Sequence, residues 1–184
     1  MEVIHMTENI QKTLKNGEPY LIRKAEIEDA KAMVAYVNQI AGESDNLTFG
    51  PGEFGMTVED EIAFIDSVNR SDNQLILLAV YEGRIIGNLS FRAGGRPRIA
   101  HSGEFGISVL KEFWGNGVAE AVISSLIDWA KEHGIRKIDL QVRDDNEGAI
   151  RLYKKLGFKE EGHISRKFLI KGEFYSVYYM GMEL

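Results

Sequence analysis

The chain has 184 residues, 28 acids against 22 lysines and arginines, a formal charge of −6 and no cysteine. That length suits one domain with a full core, the acidity argues against a nucleic-acid binder that works by phosphate neutralisation, and the lack of cysteine removes disulfides, thiolate zinc sites and a cysteine nucleophile together. His5, His101, His133 and His163 show no metal-ligand spacing, the apolar run 75–81 is far too short to span a bilayer, and Glu2, His5 and Glu8 interrupt the start where a signal peptide would be apolar; a metal-free, membrane-free cytoplasmic protein is expected.

In chain order, residues 10–15 and 19–24 read as two extended runs joined at Asn16-Gly17, a type I′ hairpin signal. The first 19 residues are thus an N-terminal extension ending in a hairpin strand on a single domain spanning 1–184. Residues 28–40 carry Ala30, Met33, Val34, Val37 and Ile40 at helical spacing. A glycine-rich loop, 44–56, is long enough to suggest function. Thr57 and Asp60 then cap a second helix with Val58, Ile62, Ile65 and Val68. Apolar strands at 75–81 and 85–91 flank Glu82-Gly83-Arg84, and a third is expected at about 100–110.

The stretch from Glu104 to Trp129 organises the rest: a strand, a tight loop bearing Gly115 and Gly117, and a helix with Ala119, Val122, Ile123, Leu126, Ile127 and Ala130 on its apolar face. The first N–H groups of such a helix are unpaired and lie at the positive end of its dipole, so the loop suits a phosphate or diphosphate. No Gly-Lys-Ser/Thr follows, which disfavours a P-loop, and the third glycine of a dinucleotide loop falls on Glu120. A plain chain-reversing turn is the competing reading. Lys137 to Val142 follows as a strand reached through a helical crossover and should lie parallel to its predecessor. A short helix from Asn146 stops at Gly157, and 159–170 and 173–181 close the chain as a hairpin around Lys171-Gly172. The class is α/β (α+β): a mostly antiparallel sheet with one parallel βαβ crossover and flanking helices.

Trp114-Gly115-Asn116-Gly117-Val118-Ala119 resembles the Arg/Gln-x-x-Gly-x-Gly/Ala signature of the GNAT superfamily of N-acetyltransferases. Residues 146–158, Asn-Glu-Gly-Ala-Ile-Arg-Leu-Tyr-Lys-Lys-Leu-Gly-Phe, resemble that family's Asn-x-x-Ala-x-x-Leu-Tyr-x-x-x-Gly-Phe block. Either block alone is weak; the two in this order and at this separation are specific. The resemblance covers Tyr20 to the C-terminus, and Trp114 departs from it where Arg or Gln is usual. It implies acetyl-CoA as co-substrate, its pantetheine lying where the strands ending at Val109 and Val142 splay. Backbone groups of Ile107, Ser108 and Val109 would pair with pantetheine, loop amides from Trp114, Gly115, Asn116, Gly117, Val118 and Ala119 would hold the diphosphate, and Asn146, beside Ala149, would bond pantetheine.

Tyr153 lies seven residues after Asn146 on the same helix face. There its phenol would protonate or stabilise the thiolate leaving group. Alternatively it is a core tyrosine, bracketed by Leu152 and Leu156, whose hydroxyl finds a backbone carbonyl. The amine must lose a proton, and Glu104, on a strand beside Gly106 and Ser108, is the candidate base; a solvated strand face or an ion pair with Arg92 or Arg98 is the alternative. No lysine or arginine occurs from Ala32 to Asn69, while Glu43, Asp45, Glu53, Glu59, Asp60, Glu61 and Asp66 do. Such acids would steer a cationic acceptor, although Glu59, Asp60 and Glu61 also complement a helix dipole.

The leading expectation is a direct N-acetyltransferase acting on a polyamine, an aminoglycoside-like amine or a protein amine, with room for a homodimer. A non-catalytic acyl-CoA-binding module on the same fold and a nucleotide-binding α/β protein are the alternatives.

Overall fold

A computed structural model describes residues 9–184; the first eight, with the start of the N-terminal extension and the region read for a signal peptide, lie outside the described residues. The expected hairpin forms from β1 (Ile10–Thr13) and β2 (Pro19–Lys24), but its turn differs from the expected type I′. Leu14 N–H bonds Glu18 O at 2.8 Å, Gly17 N–H bonds Leu14 O at 3.0 Å, and only Gly17, not Asn16, has a positive φ. That is a type I turn closed by a glycine bulge.

A single 3₁₀ turn, Ile27–Asp29, precedes α1 (Ala30–Ala41), so the helix starts two residues later than its pattern suggests. The Asp29 carboxylate accepts from Glu26 N–H at 2.8 Å and takes two bonds from Arg23 at 2.6 and 2.8 Å. Residues 42–57 form the expected long loop. In α2 (Val58–Asn69) Thr57 and Asp60 make the reciprocal capping box read from the sequence.

Four strands then build the sheet's centre: β3 (Gln74–Tyr81), β4 (Arg84–Ala93), β5 (Ser102–Val109) and, after α3 (Val118–Glu132), β6 (Lys137–Arg143). Next come α4 (Glu147–Leu156), β7 (Lys159–Ile170) and β8 (Glu173–Glu183). Strand β5 starts at Ser102 because the preceding residues are tied into turns by Ile99 N–H to Arg96 O and Ser102 N–H to Ile99 O. The sheet runs β1-β2-β3-β4-β5-β6-β8-β7, antiparallel throughout except for the β5–β6 pair joined by α3.

Both faces are covered at the sheet's centre, which is why β3 reads as an unbroken apolar run. Leu75, Leu77 and Ala79 pack with Phe91, Leu126, Trp129, Ile138 and Phe158 under α3 and α4. Ile76 and Leu78 point the other way, against Met33, Val37, Ile65 and Val68 of α1 and α2. Each of the buried leucine, isoleucine, valine, methionine and phenylalanine side chains among them contributes roughly 1.5–3 kcal/mol of transfer free energy. The sheet is therefore a rigid frame, and the break in it that opens a site lies between β5 and β6.

Candidate active site

Strands β5 and β6 pair only where Ser102–Glu104 meet Lys137–Asp139. Beyond that, β5 stays paired to β4 as far as Val109 and β6 to β8 as far as Arg143, so the two diverge as the expected V-shaped split. Leu110 N–H donates to Ile86 O and Gly94 N–H to Ser102 O, so the even-numbered residues of this ladder turn their backbone groups to β4. Ile107 and Val109 accordingly turn theirs into the split, as a pantetheine site requires. Two of the expected backbone contacts are otherwise engaged. Ser108 faces β4, and its carbonyl also accepts from Tyr36 Oη at 2.9 Å. The Val109 carbonyl accepts from the Trp114 indole at 2.6 Å. Trp114 thus braces the strand end, a role its departure from the family pattern gave no hint of.

The glycine loop follows a 3₁₀ turn at Lys111–Phe113. Gly115 and Gly117 adopt φ of +75° and +81°, which side-chain-bearing residues rarely reach, and a Cβ at either would meet nothing within 4 Å. The first helical bond of α3 is Ala121 N–H to Gly117 O; among the described residues the N–H groups of Gly115, Gly117, Val118, Ala119 and Glu120 have no acceptor. They form an open anion cradle at the positive end of a 15-residue helix. The Asn116 side chain accepts from Lys15 N–H at 3.4 Å, which ties the N-terminal hairpin to the loop. Glu120, the acid nearest the cradle, is ion-paired to Lys155 at 2.8 Å.

Helix α4 is capped by Asn146, whose side-chain oxygen accepts from Ala149 N–H at 3.3 Å, and is closed by Gly157 in the left-handed region. That cap occupies the oxygen; the Asn146 amide nitrogen has no acceptor among the described residues. Tyr153 is 8% exposed, packed edge-on against Phe105 and Phe158, and lines the cavity. Burial alone pushes its phenol up to about 12. No carbonyl accepts its hydroxyl among the described residues, so the core-tyrosine alternative loses its hydrogen bond.

Glu104 is bonded to neutral donors only: Gln141 Nε2 at 3.0 Å and Tyr179 Oη at 2.8 Å. Neither Arg92 nor Arg98 pairs with it among the described residues. The hydrogen bond to Glu104 is the main reason the Tyr179 phenol is pushed up to about 12. Glu104 and Phe105 are successive residues of β5 and point to opposite sheet faces. A cavity of about 1490 Å³, lined by Glu104, Gln141, Ile107, Gly117, Asn146 and Tyr153, therefore crosses the sheet through the split. Glu104 stands on the α1/α2 side and Tyr153 on the α4 side.

The acidic segment is used differently from the expectation of a steering patch. Glu43 accepts from Lys111 N–H at 2.7 Å, Asp45 pairs with Lys171 at 3.2 Å, Glu53 accepts from Gly50 N–H at 2.7 Å, and Asp66 pairs with Arg70 at 2.9 Å. Arg143 grips Asp145 through two bonds and the Asp45 carbonyl at 2.9 Å, pinning the long loop over the cavity. Glu61, read as a first-turn acid, is 2% exposed and lines the cavity, and burial raises its pKa. Its place one turn before Ile65 on the buried stripe was the available signal.

Among the described residues no cluster of three His, Asp or Glu is arranged to hold a metal ion, and no helix is long and apolar enough to cross a membrane. The chain is 36% identical over 108 residues to the L-amino acid N-acetyltransferase AaaT of Escherichia coli K12, a match covering 56% of this chain and 65% of that protein. It is also 36% identical over 80 residues to spermidine N(1)-acetyltransferase of Vibrio cholerae, covering 43% and 46% of the two chains. The matched part thus spans just under two thirds, and just under half, of those relatives. A solved structure, an acetyltransferase of the GNAT family from Streptococcus pneumoniae, superposes with a TM-score of 0.87 at 36% identity, covering 90% of this chain and 99% of that one. The model of the acetyltransferase (GNAT) family matches residues 40–158, which take in the long loop, the split, the glycine loop and α4, and the chain belongs to that family.

Proposed function

We propose that this chain is an N-acetyltransferase that moves the acetyl group of acetyl-CoA directly to a primary amine of a small molecule, peptide or protein, as one domain in the cytoplasm. The observation that carries this reading is the cavity that crosses the sheet between β5 and β6. The described residues fit acetyl-CoA: unpaired N–H groups ahead of α3 suit a diphosphate, and the backbone edge at Ile107, with the Val109 N–H, suits the amides of pantetheine. Bound acetyl-CoA supplies an activated thioester carbonyl.

The amine enters from the α1/α2 side, where Glu104 faces it, and the sulfur lies on the Tyr153 side. Attack of the neutral nitrogen forms the C–N bond and the C–S bond breaks. Glu104 takes the proton of the bound ammonium before attack and passes it to solvent at the cavity mouth, the proton that attack leaves on nitrogen follows it to solvent, and the electron pair of the C–S bond leaves with the thiolate. A phenol at about 12 facing a thiol of pKa about 8.5 is a poor proton donor, since complete transfer is uphill by roughly 5 kcal/mol. Tyr153 is therefore assigned as a hydrogen-bond donor to the developing thiolate rather than as a full acid. Thiol release from acetyl-CoA, measured against polyamines, aminoglycosides, amino acids and peptide N-termini, tests the reading. Tight coenzyme binding without thiol release across that panel would instead assign a non-catalytic acyl-CoA-binding module.

A further inference from the structure

Glu61 is a carboxylic acid that the fold buries and leaves without a partner among the described residues. It is 2% exposed, and none of those residues donates a hydrogen bond to its Oε2. With Ile65 and Val68 it forms the buried stripe of α2, at a position where leucine or methionine would pack at no electrostatic cost. Leaving a carboxylate unpaired there is unfavourable by several kcal/mol, so the fold itself gains nothing from it. Glu61 lines the same cavity as Glu104. A second unpaired oxygen, Asn88 Oδ1, lines it too, on the sheet face that carries Glu104.

Two acceptors without donors, one of them a carboxylate, match a ligand group that is cationic and rich in N–H. The reacting nitrogen does not qualify, because it must be neutral when it attacks and must reach the split between Glu104 and Tyr153. We infer that Glu61 is the counter-ion for a second, non-reacting cationic nitrogen of the acceptor, so that the preferred acceptors are diamines and polyamines. The inference rests on the acetyl-transfer reading and names its acceptor class. The acids around the long loop do not compete for this role, since Glu43, Asp45 and Glu53 each have a local partner.

The test compares 1,4-diaminobutane with n-pentylamine, an isostere lacking the second nitrogen, by thiol release at saturating acetyl-CoA. The wild-type protein should favour the diamine by about 10-fold or more in kcat/KM, as a buried charge-assisted bond implies. Glu61→Gln, which keeps the shape, should bring that ratio close to one, mainly through the diamine's KM, whereas Glu59→Gln, an exposed acid in the same turn, should leave it in place. Equal efficiency with both amines in the wild-type protein overturns the inference without any variant having to fold, as does a ratio that survives Glu61→Gln or falls equally with Glu59→Gln. Thiol release with neither amine, alongside none on the wider acceptor panel, overturns the transfer reading and this inference with it; release on the wider panel alone overturns only the inference.

Discussion

Arg92 and Glu104 are Cα partners across β4 and β5, yet the carboxylate turns away from the guanidinium and accepts instead from Gln141 and Tyr179. Opposite charges placed directly across a ladder ordinarily meet. Here two neutral donors fix the orientation of Glu104 without neutralising it, and they leave Arg92 exposed on the cavity wall. A carboxylate oriented but not compensated is suited to receive a proton or to hold an ammonium.

Replacing Glu104 with Gln should therefore lower kcat/KM by about 100-fold or more at neutral pH. The loss should narrow as the pH approaches the amine's own pKa, near 10.4, where free amine is abundant. Tyr179→Phe removes one of the two orienting bonds and should cost about 10-fold. A pH–rate profile of both variants decides the matter, since an equal loss at every pH assigns Glu104 a structural role.

The Tyr153 hydroxyl faces the cavity, and its phenol, at about 12, stays protonated across the working range. Tyr153→Phe should lower kcat by about 10- to 100-fold, the worth of one bond to a charged sulfur. Because the phenol does not titrate there, the ratio of wild-type to variant kcat should be flat from about pH 6 to pH 10. The variant's Tm should not fall, since the deleted hydroxyl has no partner among the described residues. An unchanged kcat removes Tyr153 from the chemistry.

Much of this arrangement was legible in the residues because local rules and global packing agree there. The glycine loop, the Thr57–Asp60 box and the parallel crossover each follow from short patterns whose physical reason is local. Asn16-Gly17 gave the hairpin but not the turn type, which depends on a φ at Asn16 that composition does not set. Trp114 was legible as a departure from a pattern, but its bond to Val109 depends on how the chain folds back over the strand end. Glu61 is hidden for a different reason: three consecutive acids after a helix cap satisfy the dipole argument, and only the spacing of Glu61 with Ile65 and Val68 marks it as buried. Ser108 shows the same limit in a strand, where ladder parity decides which residues face the split.

Gly117 is held at a φ of +81°, with open space where a side chain would start. Gly117→Ala should cost about 1–2 kcal/mol of stability from the left-handed backbone alone. It should also place a methyl group in the diphosphate cradle. Calorimetry is expected to show acetyl-CoA binding weakened by about 10-fold or more, beyond what the lower Tm explains. Undiminished binding would mean that these amides are not the diphosphate site.

Glu61 makes a prediction about stability that is separate from its acceptor. Burial raises its carboxyl above the unfolded value near 4.5, so the folded state prefers the protonated form. A raised acid favours folding fully below the unfolded pKa, and that contribution is lost as the pH climbs through the folded one. At pH 7.5 the unfolded carboxyl is ionised while burial opposes ionisation in the folded state, so Glu61→Gln should raise stability by on the order of 1–3 kcal/mol. The gain should shrink as the pH falls through the raised value toward 4.5, because the wild-type carboxyl then takes up its proton while glutamine does not change. Denaturant unfolding of both proteins at several pH values between 4.5 and 8 measures this directly. A variant less stable than wild type at pH 7.5 would reveal a compensating cation and remove the reason for looking to the acceptor for one. A more stable variant with a lost diamine preference would identify Glu61 as a residue at which stability is given up for recognition.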